Sequence, residues 1–327
     1  MTPTRESISL TFIKKRGILI LIAIVIFYFM YVLYYDAFSL VTGLSKIRIG
    51  YLTLVLLCVS LSIFVRGARQ YYLLDKIGIR LPFGRNLLLY LAGLSMVMTP
   101  GSLGQAIKSY FLYRNYGVPV SKTVPLVLVE RFLDILAIFA FVAVSVILIS
   151  NEFLFTPVLI IGLVLLAIPV LIRFHNVILR KIEYVFPHKF DRLQNIFSGI
   201  DKSILSFSSI TTIIYGWPIS IVAWFFEALA IFFSFGALDM WLGFEVTTAF
   251  GFSSLMFGAI SLVPGGAGVT ELSFVQLLIY YGLPASEAAT AVLLVRISSL
   301  WYSTLIGLVA VKIILRQKKT INPADGL

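Results

Sequence analysis

Across 327 residues, 60% are hydrophobic and 13% charged, with a mean hydropathy of +1.00, whereas a soluble domain carries about 25% charged residues; the composition excludes a water-soluble globule. Net charge is +11, and no nucleic-acid-binding motif accompanies it, so the excess is read as lysine and arginine on the inner side of a membrane. The one cysteine, Cys58, excludes an internal disulfide and a Cys-based zinc site.

Lys14, Lys15 and Arg16 precede the first uncharged run, Gly17 to Tyr35. That run is too long for the core of a signal peptide, and no small-x-small site follows it. It is predicted as the first membrane helix, over about 17–36. Further spans are predicted at 49–66, 123–150, 153–173, 210–237 and 287–314. A crossing needs about 20 residues for a hydrocarbon core of roughly 30 Å. Two other apolar stretches, 86–99 and 246–263, each lead into a Pro-Gly turn. The first reads Thr99-Pro100-Gly101-Ser102-Leu103-Gly104-Gln105, the second Val263-Pro264-Gly265-Gly266-Ala267-Gly268-Val269-Thr270-Glu271.

The region 174–209 places Ile178, Ile182, Val185 and Phe186 among Arg180, Lys181 and Lys189. This pattern predicts an amphipathic helix on the inner membrane surface. His175 and His188 lie there without a third metal ligand nearby, so no metal and no cofactor is expected. The whole of 1–315 is predicted as one membrane domain, with a cytoplasmic tail over 316–327.

The two turn regions resemble each other. Pro100, Gly101 and Gly104 align with Pro264, Gly265 and Gly268. At an offset one residue longer, Gly117, Pro119, Ser121 and Arg131 align with Gly282, Pro284, Ser286 and Arg296. A duplication is expected, with one repeat over 17–150 and the other over 153–314. If both turn segments are re-entrant hairpins, each repeat crosses three times and the copies are inverted. The expected fold is therefore an all-α polytopic membrane protein of six transmembrane helices and two re-entrant Pro-Gly hairpins. With both termini inside, the inner segments hold most of the basic residues, Arg66 and Arg69 among them. Only Lys46 and Arg48 fall outside, in keeping with the positive-inside rule.

Charges inside a membrane are costly and mark function by default. Glu130, Arg131 and Asp134 fall within one predicted span, and the duplication brings Arg296 to a similar depth. Glu227 is expected to pair with Arg296. The hairpins add Gln105, Lys108 and Glu271. A helix that starts inside the membrane offers unpaired N–H groups and a positive dipole end. Gly101, Gly104, Gly265, Gly266 and Gly268 would let a ligand approach the backbone. Two such helix starts beside arginines suit a phosphate. The competing reading is that these charges pair to fix helix packing. Lys108, Arg131 and Arg296 set against Glu130, Asp134, Glu227 and Glu271 leave one carboxyl in excess. Its protonation would give proton coupling.

Pro100-Gly101-x-x-Gly104-Gln105-x-x-Lys108, Val129-Glu130-Arg131-x-x-Asp134 and Pro264-Gly265-Gly266-x-Gly268-x-x-Glu271 resemble the membrane domain of the lysylphosphatidylglycerol synthase family, a flippase-like domain, over roughly 10–315. Family members usually carry an acid where this chain has Gln105. The resemblance implies movement of a lipid with a phosphate-bearing head group between leaflets. The soluble aminoacyltransferase part of some members is not expected here, so lysyl transfer is not either. The expected partner is a membrane phospholipid or a polyprenyl-phosphate-type lipid, anionic or zwitterionic, in a prokaryotic plasma membrane. Two alternatives stand beside a flippase. One is an intramembrane lipid-modifying enzyme using Glu271 or Asp134 as acid or base. The other is a non-transporting subunit of a lipid- or glycosyltransferase. Association with such a transferase or with a second copy of the chain belongs to the same set of expectations.

Overall fold

The computed structural model describes residues 37–45, 47–99, 104–149 and 210–316, and the single positions 30 and 162. These residues form helices α1 (Ala37–Ser45), α2 (Ile49–Lys76), α3 (Phe83–Leu94), α4 (Ile107–Tyr116), α5 (Val120–Ile149), α6 (Ile210–Ala237), α7 (Phe244–Ile260), α8 (Val269–Tyr280), α9 (Ala285–Arg296) and α10 (Tyr302–Arg316). A 3₁₀ turn, Pro264–Gly266, precedes α8, and a π turn, Ile297–Trp301, joins α9 to α10. Among the described residues, four continuous helical stretches are long and apolar enough to cross a bilayer: Ile49–Lys76, Val120–Ile149, Ile214–Ala237 and Ala285–Arg316. The molecule is an all-helical, multi-pass membrane protein. Apart from Met30 and Gly162, the predicted spans 17–36 and 153–173 lie outside the described residues. So do the segment 174–209 and the turn residues Pro100 and Gly101.

Proline and glycine set several boundaries. Pro82 and Pro284 stand just before α3 and α9 in extended conformations that cannot continue a preceding helix. Gly117 closes α4 in the left-handed region at φ 69°, returning its N–H to the Tyr113 carbonyl. One boundary differs from the sequence expectation. The second span runs to Lys76 and does not stop near 66. Arg66 and Arg69 are therefore helical residues packed inside the protein, not members of a cytoplasmic loop. The apolar character resumes at Tyr71 to Leu74, which keeps the helix going until Gly78 turns it at φ 75°.

α2 and α6 lie antiparallel along their lengths. At one end the Arg48 N–H donates to the Ala237 carbonyl at 2.9 Å. At the other the rings of Tyr72 and Tyr215 stand 6.5 Å apart. α3 crosses α2 where Gly67 leaves room for Leu87 and Tyr90. There Asn86 donates to the Gly67 carbonyl at 2.9 Å and accepts from Gln70 at 3.0 Å. A large apolar core joins α5 to α9 through Val142, Trp224, Phe235, Phe250, Phe252, Phe274 and Val292. A second, around Leu73, Leu89, Phe111, Leu126 and Leu133, ties α2 to α5 and α10.

α10 meets the end of α3 backbone to backbone. A Cβ on Gly307 would collide with the Ser95 nitrogen and lie 2.7 Å from the Leu94 carbonyl carbon. Gly307→Val is expected to destabilise the fold by about 1–3 kcal/mol, as overpacking does. Cys58 is buried, so a thiol-reactive dye reads this out. Its labelling on heating should move to lower temperature in the variant.

Candidate functional site

The buried charges gather into two polar networks. The first draws on α2, α4, α5 and α6. Asp134 is its centre. Its Oδ1 accepts from Arg69 at 2.6 Å and from the Trp224 indole at 3.0 Å. Its Oδ2 lies 2.9 Å from Arg131 one turn earlier on α5. Arg69 is 0% exposed and also donates to Ser220 at 2.6 Å. One helical turn before it, Arg66 stacks 4.2 Å from the centre of the Trp224 ring and pairs with Glu227 at 3.3 Å. Glu227 also accepts from Ser62 at 3.1 Å. The i, i+3 spacing of Arg66 and Arg69 puts both on one face of α2.

From α4 come Gln105, just before its first turn, and Lys108. Gln105 Oε1 accepts from Arg131 at 3.3 Å. Lys108 donates to Glu130 at 2.5 Å and stands 5.2 Å from the centre of the Tyr90 ring. Its stem lies over Gly93, where a Cβ would come 2.7 Å from Lys108 Cδ. Glycine at 93 is what admits the lysine.

These contacts leave donors over. Among the described residues, Arg66 Nε, Arg69 Nε and Nη2, and Arg131 Nε are buried with no hydrogen-bond partner. An unmet buried donor costs about 1–3 kcal/mol, and several aimed from one cluster call for an acceptor from elsewhere. Arg131, at 24% side-chain exposure, is the most open of the three.

The second network centres on Arg296 and Glu271. Arg296 Nε donates to Glu271 Oε1, and Nη2 to the Gly265 carbonyl, both at 2.6 Å. Glu271 Oε2 accepts the Gly268 N–H at 2.8 Å. Glu271 therefore caps α8 with its own carboxylate, a capping-box contact. Gly265, Gly266 and Gly268 sit at φ 63°, 65° and 88°, where a side chain is strained by about 1–2 kcal/mol. Gly265→Ala should lower stability by that amount in the same thiol-labelling scan. A Cβ on Gly265 would also lie 3.5 Å from the Met98 Cα. The second Pro-Gly turn thus touches the segment that enters the first.

The sequence expectation needs four corrections. Glu227 pairs with Arg66 rather than with Arg296. The positive start of α8 is taken by Glu271, not left open for a ligand. Gly104 serves close packing instead of ligand approach, because a Cβ there would lie 2.5 Å from Thr99 Cγ2. Its N–H is held by Thr99 Oγ1 at 2.7 Å. Finally, Arg66 and Arg69 reverse the charge balance. Five buried or half-buried cations face Glu130, Asp134, Glu227 and Glu271, so the excess carboxyl that suggested proton coupling is gone. The predicted Gln105, Lys108, Glu130, Arg131 and Asp134 do come together. The residues missed were Arg66, Arg69, Trp224 and Ser220. The return of apolar residues at Tyr71 to Leu74 was the signal for the first two.

Comparison with known proteins gives one picture. The profile described as the lysylphosphatidylglycerol synthase TM region matches residues 17–307. A UPF0104 membrane protein of Methanocaldococcus jannaschii is 25% identical over 332 residues, covering 93% of this chain and 96% of the relative. Another from the same organism is 24% identical over 228 residues, 67% of this chain and 93% of its own. A UPF0104 membrane protein of Methanothermobacter thermautotrophicus is 27% identical over 137 residues, and the match spans only 41% of either chain. With most of its length matched, and with the Gln105–Lys108 and Glu130–Asp134 motifs gathered at one buried site, this chain belongs to the lysylphosphatidylglycerol synthase TM-region family.

Proposed function

We propose that this protein moves a phosphate-bearing lipid between leaflets, with the head group held at Arg66, Arg69 and Arg131 beside Gln105. The observation that carries this is the set of buried arginine N–H groups in the first network that have no partner among the described residues. Guanidinium groups present planar donor pairs that match phosphate oxygens. Inside a membrane they are retained at a cost that an anionic ligand would offset. The Arg296–Glu271 pair acts differently in this reading. It fixes the second Pro-Gly turn against Met98, so the moving parts share a rigid contact.

The topology proposed with this function has six crossings, the segments 17–36 and 153–173 included, and cytoplasmic termini in a prokaryotic plasma membrane. α3, α4 and α8 hold 12, 10 and 12 residues. At 1.5 Å per residue they reach about 15–18 Å, short of the roughly 30 Å core. They suit re-entrant hairpins, and rocking of two inverted halves would expose the site alternately.

The test is lipid movement by purified protein in liposomes, followed with tail-labelled phospholipid. Movement well above that in protein-free liposomes is the expected result. A rate equal to that of protein-free liposomes would remove the proposal, and a chemically altered lipid would make the protein an enzyme instead.

A further inference from the structure

The charges of the first network do not cancel. Arg66, Arg69, Lys108 and Arg131 face Glu130, Asp134 and Glu227. Resting on the transport reading above, we infer that the site selects a head group whose phosphate carries one negative charge, a phosphodiester, over a phosphate dianion such as a monoester. Phospholipids are thereby favoured over polyprenyl monophosphates.

The count is robust to the ambiguities of a buried cluster. Lys108 and Glu130 touch at 2.5 Å, and passing a proton between them leaves that pair's net charge at zero. Arg296 and Glu271 pair at 2.6 Å and also cancel. In the predicted segments 17–36, 100–103 and 153–173 the charged residues are Asp36 and Arg173, each at the last position of its span, so these segments are expected to bring no charge to mid-membrane depth. One cation therefore stays in excess. In a low-dielectric site a net charge is penalised in either sign. A singly charged phosphate brings the total to zero, whereas a dianion leaves one negative charge over. Four unpartnered donor atoms on Arg66, Arg69 and Arg131 also suit the two unesterified oxygens of a diester.

The experiment uses the full chain in liposomes with two tail-labelled lipids, phosphatidylglycerol and phosphatidic acid. A phosphomonoester loses its second proton near pH 6, so at pH 8 the first lipid carries one charge and the second close to two. The wild type should move phosphatidic acid at least about tenfold more slowly at pH 8, because one unmatched charge is penalised at an intermediate dielectric. At pH 5, where both phosphates carry one charge, the two rates should converge. Glu227→Gln adds one net positive charge and should reverse the preference at pH 8. Equal wild-type rates at pH 8, or a preference unmoved in Glu227→Gln, would overturn the charge rule and leave transport standing. Movement of neither lipid would instead defeat the transport reading. Should Glu227→Gln fail to fold, the wild-type comparison at pH 8 decides alone.

Discussion

Asp134→Ala is expected to cost the fold about 3–5 kcal/mol, the range for stripping one partner from a buried ion pair. Asp134 is 4% exposed in its side chain and carries the Arg69 and Trp224 hydrogen bonds on one oxygen. Without it, among the described residues the fully buried Arg69 keeps Ser220 as its hydrogen-bond partner and Arg131 keeps Gln105. Two guanidinium groups would then share one region with no counter-charge between them. The damage reaches three helices, because Asp134 on α5 is what joins Arg69 on α2 to Trp224 on α6. Labelling of Cys58 by a thiol-reactive dye should begin at clearly lower temperature than in the wild type. An unchanged midpoint would mean that the charges are not paired as described.

Arg131→Ala should instead stop lipid movement while sparing the fold. Arg131 is partly exposed and meets Asp134 only at Oδ2, so Asp134 keeps its Arg69 and Trp224 contacts when Arg131 is removed. A lost charge-assisted contact to a buried phosphate is worth about 2 kcal/mol or more. Transport should therefore fall by about 30-fold or more, with the Cys58 labelling midpoint near that of the wild type. Arg131→Lys keeps the charge but not the fork-shaped pair of donors, and should recover only part of the rate. Full activity in Arg131→Ala would place the phosphate elsewhere.

Hydropathy and turn chemistry made much of the helical frame legible. The boundaries at Ala237 and Ile149 follow long uncharged runs, and the second Pro-Gly turn falls where the sequence puts it. The end of α2 was not legible from hydropathy alone. Two arginines look like the end of a span, yet Arg66 and Arg69 find partners on α5 and α6, 65 to 161 residues away. Long-range partners leave no mark in a local window. The same limit explains Glu227. Its depth matched Arg296, but which cation it meets depends on how α6 is rotated against α2, where Trp224 packs under Arg66. For Glu271 the missed signal was local. Glycine followed three residues later by glutamate is a capping arrangement, and it fills the helix start that otherwise looks open to an anion.

The location of the phosphate tests the central claim most directly. An experimental structure in a phospholipid nanodisc should contain head-group density within hydrogen-bond distance of Arg131, with Arg66 and Arg69 donating to the same phosphate. The Arg296–Glu271–Gly268 circuit should stay closed in that structure. Head-group density at the start of α8, with Glu271 displaced and the three arginines satisfied by protein groups alone, would contradict the account.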